Sequence, residues 1–193
     1  MNRQQIMGLT FTGLVSIISL GMLSKSAWGQ ASINQTILHN TALSMHNTYR
    51  TQHHSPAMTT SDSLNSTAQS WAEQMATTGE LAHSSSSQRN GAGENLYVYY
   101  TTAASIAPDT LANSAVKSWY DEVAKYNYAN PAFAASTGHF TQVVWKSSTE
   151  LGCGAAQGTK TLEGTQYQAF YVVCHYAPPG NVTGQFPANV LKP

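Results

Sequence analysis

The sequence predicts a layered α/β or α+β domain, and three observations lead there. Three stretches carry apolar residues at helical period, other stretches are dense in β-branched and aromatic residues, and the two kinds interleave irregularly along the chain. In the first helical stretch Leu38, Ala42, Met45 and Tyr49 recur at steps of four, three and four. Leu64, Ala68, Trp71 and Met75 repeat that pattern, and Gly79 suits the stop of their helix. Pro108-Asp109 offers a start for the third, whose stripe is Leu111, Ala115, Trp119 and Val123.

The strands follow from composition. Glu94–Tyr100 (ENLYVYY) and Tyr167–Tyr176 (YQAFYVVCHY) are aromatic and β-branched, the latter bounded by Gly164 and by Pro178-Pro179-Gly180. Leu151–Ala156 (LGCGAA) is a weaker strand in which Gly152 and Gly154 permit close backbone approach. The segments 83–93 (HSSSSQRNGAG) and 101–109 are expected to be loops.

Residues 1–29 are expected to be a secretory signal. Arg3 precedes an apolar stretch, Ile6–Leu23, and Ala27-x-Gly29 fits a cleavage site. Polar residues interrupt the stretch, whereas a spanning helix wants about 20 mostly apolar residues. Residues 30–193 then form one domain, read as a secreted, extracellular monomer without a transmembrane segment. Removing Arg3 and Lys25 from nine basic and nine acidic side chains leaves the remainder mildly acidic. Such a balance gives no electrostatic footprint for nucleic acid. Export into an oxidising compartment makes the two cysteines, Cys153 and Cys174, read as a bridge, worth about 3 kcal/mol in the chain-entropy model. Sequons stand at Asn34, Asn65 and Asn181.

The seven histidines sort by surroundings. His39 and His46 fall within the first helix, and His46 is expected to be a satisfied structural group. His53 and His54 follow that helix and are expected to be solvated, while His175 is packed or paired within a strand. That leaves His83 and His139, each expected in a loop beside small residues. Among the carboxylates, Glu94 opens the aromatic strand and Glu122 flanks the buried stripe of the third helix. Both need partners, because an unpaired buried charge is costly. Glu73, Glu80, Glu150 and Glu163 have polar surroundings. Spacing does not pair the four groups, so scattered structural roles stay open beside a shared site.

Two long segments carry a resemblance. GHFTQVVWKSS (138–148) and YVVCHYAPPGNV (171–182) resemble the two signatures of the CAP superfamily: cysteine-rich secretory proteins, antigen 5 and plant pathogenesis-related 1 proteins. HNTYR (46–50), LAHS (81–84), GENLY (93–97) and WYDEVAKYNY (119–128) fall in the matching order. The resemblance implies a three-layer α-β-α sandwich around a mixed, mainly antiparallel sheet, with Gly138 permitting a turn and Phe140–Trp145 packing behind it. It implies that His83, Glu94, Glu122 and His139 meet in one cleft, and it supports a Cys153–Cys174 bridge.

Two neutral imidazoles, His83 and His139, could then take up Zn²⁺ or another divalent cation weakly, with the glutamates as an outer shell. No residue is assigned a catalytic role. A proposed protease activity in the family uses a serine shortly after the GENLY glutamate, where this chain has Tyr100. A metal-assisted hydrolase is the rival reading. The other alternative is a small apolar ligand, sterol or fatty acid, on a rim made by Tyr97, Tyr99, Tyr100 and Ile106. Cross-strand packing competes for those same tyrosines.

Overall fold

The computed structural model describes residues 33–193; the expected signal at 1–29 lies outside the described residues. In chain order the elements are α1 (Gln35–Gln52), β1 (Thr59–Thr60), α2 (Asp62–Thr78), β2 (Gly93–Thr101), α3 (Pro108–Asp121), a 3₁₀ turn (Glu122–Lys125), α4 (Gly138–Val144), β3 (Glu150–Leu162), β4 (Thr165–Ala177) and α5 (Phe186–Asn189). The strands form one sheet in the order β1-β3-β4-β2. β1 runs parallel to β3, and the other two pairings are antiparallel. The sheet is therefore mixed and mainly antiparallel. β3 and β4 join through Glu163-Gly164, both at positive φ (49° and 81°), as a two-residue hairpin requires.

Alternation along β4 divides the core in two. Phe170, Val172, Cys174 and Tyr176 pack with α1, α3 and α4; Ala169, Tyr171 and Val173 pack with α2. The result is helices on both faces of the sheet, the α-β-α sandwich. Cys153 and Cys174 stand directly opposite each other in the β3–β4 register and are bridged.

The glycines of β3 set how closely α2 approaches. A Cβ at Gly152 would lie 2.2 Å from the Asn65 backbone nitrogen, and one at Gly154 would lie 2.4 Å from the Gln69 Cα. Helix backbone cannot swing aside as a side chain can. The close approach also lets α2 cover an otherwise free edge of β3: Asn65 Oδ1 accepts from the Cys153 amide at 2.9 Å and Gln69 Oε1 from the Ala155 amide at 3.0 Å. Gln35 Nε2 donates to the Ala155 carbonyl at 2.9 Å. Side-chain amides thus stand in for a neighbouring strand. Gly154→Ala is expected to cost about 1–3 kcal/mol or more, measured as a lower urea midpoint; an unchanged midpoint would count against this packing.

Two sequence expectations need correcting. The core face of α1 is Leu38, Ala42, His46 and Arg50, while Met45 and Tyr49 are only partly buried. His46 occupies that face because Nδ1 is 2.7 Å from the Ala42 carbonyl and Nε2 is 2.9 Å from the Tyr176 hydroxyl. Burial pushes its pKa down to about 4, so the ring is held neutral. His53 is also buried, contrary to the solvated position expected. Its Nδ1 is 2.8 Å from the Leu191 carbonyl and its Nε2 is 3.0 Å from the Tyr120 hydroxyl. An apolar-stripe count misses polar residues whose hydrogen bonds are all met in the core.

Candidate functional site

The first end of β2 gathers the residues singled out above. Glu94 is the second residue of β2, lies opposite His175 of β4, and shares the α2-side face with it. Its side chain is 1% exposed, yet both oxygens are fully engaged. Oε1 accepts from His83 Nδ1 at 2.6 Å and from the Ser84 amide at 3.0 Å. Oε2 accepts from the Ser84 hydroxyl at 2.7 Å and from His175 Nε2 at 3.0 Å. Burial alone would raise the Glu94 pKa, but these bonds outweigh it and hold the carboxyl well below the ordinary range. Four donors fill a carboxylate's acceptor positions. Glu94 is an anchor.

These acceptors fix the rings. A carboxylate accepts only, so neutral His83 carries its proton on Nδ1 and leaves Nε2 with a bare lone pair. Neutral His175 has the opposite tautomer: Nε2–H donates to Glu94, and Nδ1 accepts from the Thr67 hydroxyl at 2.9 Å. His83 is 60% exposed at its side chain, whereas His175 is buried.

Glu122 and His139 form the second pair, on the other face. Glu122 lies in the 3₁₀ turn just past α3, not on that helix. His139 lies in the first turn of α4, not in the loop expected, and Gly138 is the first residue of that helix. Glu122 explains the helix. Thr137 makes no side-chain cap there, and Glu122 Oε2 accepts from the His139 and Phe140 amides at 3.0 and 3.1 Å. An anion supplied from elsewhere in the chain satisfies the free amides and the dipole. Glu122 Oε1 takes His139 Nδ1 at 2.8 Å, so this ring too presents Nε2 outward. The Trp119 ring stacks beside it at 6.4 Å between centroids. Phe140–Trp145 is buried behind, as expected.

Asn95 and Gly93 tie the second pair to β2. Asn95, 1% exposed, donates from Nδ2 to the His139 carbonyl at 3.1 Å. A Cβ at Gly93 would sit 2.2 Å from Gln142 Oε1, so a larger residue there would have to displace the Gln142 carboxamide of α4, which accepts from the Gly180 amide. The predicted residues thus come together as two pairs, His83–Glu94 and His139–Glu122, at one end of an edge strand. Among the described residues, no three His, Cys, Asp or Glu side chains are grouped so as to hold a metal ion. Sequence reasoning did not place His175, Ser84 and Asn95 at the site. An antiparallel pairing of ENLY with YVVCHY would have put His175 across from Glu94.

The proposed apolar-ligand residues divide between surfaces. Tyr97 and Ile106 pack against the α1–α3 side of the core, and Tyr99, 38% exposed, follows the same alternation. Tyr100 packs against the α2 side. No helix among the described residues is long and apolar enough to cross a membrane.

Comparison with known proteins agrees with this architecture. The pattern of the cysteine-rich secretory protein family (CAP) matches residues 43–176. The chain is 38% identical over 157 residues to human Golgi-associated plant pathogenesis-related protein 1, covering 80% of this chain and 93% of that one. It is 40% identical over 147 residues to Protein PRY2 of Saccharomyces cerevisiae, covering 76% of this chain but 39% of the longer relative. The solved structure of BmVAL-1 superposes with a TM-score of 0.64 at 26% identity, covering 86% of this chain and 87% of that one. The chain therefore belongs to the cysteine-rich secretory protein (CAP) family.

Proposed function

We propose that this chain is an exported, non-catalytic CAP binding module that takes up a divalent cation weakly through His83 and His139. The observation that carries this reading is the tautomer imposed on both rings: each Nδ1 is committed to a glutamate, so each Nε2 offers its lone pair outward. Glu94, with four donors already on it, orients and does not ligate. Glu122 does the same for His139 while capping α4. With at most two imidazole nitrogens and, among the described residues, no third ligand grouped beside them, uptake is weak and exchangeable, water completing the coordination. A bound cation such as Zn²⁺ would supply Lewis acidity at the rim. The non-catalytic part rests on Ser84, whose hydroxyl donates to the Glu94 carboxylate, a group held well below its ordinary range and so too weak a base to activate it.

Calorimetric titration of Zn²⁺ into the protein, beside a His83→Ala/His139→Ala variant, tests the proposal. The wild type should bind in the micromolar to millimolar range, with uptake weakening as acid protonates the rings, and the variant should lose it. Equal affinity in both proteins would remove the cation from the account.

A further inference from the structure

A second pocket opens along the flank of α2, adjoining the Glu94 site through Thr67, whose hydroxyl meets His175 Nδ1 at 2.9 Å. Thr67, Ser70, Trp71 and Gln74 fall at helical spacing along one side of α2, and Gln88 reaches over from the loop before β2; together they line about 250 Å³. None of the five is charged. The nearest charged neighbours in sequence are engaged elsewhere: Glu73 accepts from Gln69, and Arg89 donates to the Ala92 and Ser84 carbonyls. The indole of Trp71 is set in place by donation from Nε1 to the Ala82 carbonyl at 2.8 Å and is only partly buried.

Around that ring the hydrogen-bonding capacity is left mixed. Gln74 makes no side-chain hydrogen bond among the described residues. Gln88 uses Oε1 to accept from the Ser85 amide and hydroxyl, leaving its NH₂ free. Ser70 donates back to the Ser66 carbonyl and keeps its acceptor positions. The pocket thus presents neutral donors, neutral acceptors and one fixed aromatic face.

From this we infer that the α2 pocket is a binding site for a neutral sugar, a single pyranose ring or the terminal ring of a glycan. Hydroxyl groups both donate and accept, matching the uncommitted amides and serine. The C–H edges on one side of a pyranose are apolar and weakly positive, matching the negative face of an indole. An ionic ligand would find no counter-charge among these five side chains, and an apolar one would bury amides without partners. The volume lies below the roughly 300 Å³ at which pockets for drug-sized ligands begin, which limits the occupant to one ring. A β-glucoside has the best shape, because its equatorial hydroxyls leave both ring faces open to stacking.

The test is titration of the protein with methyl β-D-glucopyranoside, followed by the indole Nε1–H signal of Trp71 in ¹H–¹⁵N spectra. That signal is assigned by its absence from Trp71→Phe. Saturable shifts in the millimolar range are expected, and Gln74→Ala/Gln88→Ala should weaken binding about tenfold, the loss that goes with two uncharged hydrogen bonds. Both glutamine side chains are solvent-exposed, so an unchanged circular dichroism spectrum is expected of the variant. Equal affinity in wild type and the double variant would overturn the site. So would the absence of saturation up to roughly 50 mM sugar.

Discussion

Replacing Arg50 with methionine is expected to destabilise the protein by about 3–5 kcal/mol. The guanidinium is fully buried, and among the described residues no carboxylate is a hydrogen-bond partner of it. Four main-chain carbonyls neutralise it: Nε donates to Pro56 at 2.8 Å, one terminal nitrogen to Val143 and Trp145 at 3.1 and 2.8 Å, and the other to Ser148 at 2.8 Å. These carbonyls belong to the segment after α1 and to the end of α4 with the turn that follows. One side chain therefore ties the segment after α1 to the last turn of α4 and the turn beyond it, where carbonyls run out of helix or strand partners. Burial pushes its pKa down to about 10, which still leaves it charged at neutral pH. Methionine would fill most of the volume but abandon every carbonyl. Lysine, with its donors on one atom, could not reach all four, so Arg50→Lys should rescue only part of the loss. Urea denaturation followed by circular dichroism measures both; a loss under about 1 kcal/mol for Arg50→Met would show that water satisfies the carbonyls instead.

Glu94→Gln should cost about 2–4 kcal/mol. The carboxamide keeps one acceptor oxygen and turns an NH₂ toward two groups that also donate. Whichever way it is flipped, either the His83 and Ser84 amide donors or the Ser84 hydroxyl and His175 donors face it. The pH dependence has a definite sign. Because the folded carboxyl titrates well below its ordinary value of 4.5, its contribution is fully present above that value and is lost as pH falls toward the folded one. The stability gap between wild type and Glu94→Gln should therefore narrow between pH 7 and about pH 3. A gap that is constant over that range would mean the carboxylate is not held by these bonds.

Much of the fold could be read from local pattern. The aromatic and β-branched runs around Tyr97 and Val172 became β2 and β4, and Gly79 ends α2 in the left-handed conformation that glycine favours, with φ 72°. The stripe Leu111–Ala115–Trp119 is buried along α3. What local pattern could not supply was tertiary compensation. GHFTQVV contains strand-favouring valines and phenylalanine but forms α4, because a glutamate seventeen residues earlier caps it. The apolar stripe of α1 pointed to Met45 and Tyr49, yet His46 and Arg50 take the core face, because the Tyr176 hydroxyl donates to the neutral His46 ring and distant carbonyls accept from Arg50. The two glutamates needed partners, as burial demanded, but their pairing depends on strand register and a non-local cap. Neither is visible in spacing. The family resemblance grouped the four residues, while the structure assigns each ring to its glutamate and adds His175 as a third ring.

The central claim is that Glu94 and Glu122 hold His83 and His139 with Nε2 bare and turned outward. Long-range ¹H–¹⁵N correlation of the imidazole rings at neutral pH addresses it directly, since protonated and bare ring nitrogens resonate far apart. The account predicts the Nδ1–H tautomer for both rings, with the Nε2 signals alone shifting when Zn²⁺ is added. An Nε2–H tautomer on either ring, or Zn²⁺ shifts confined to other histidines, would contradict it.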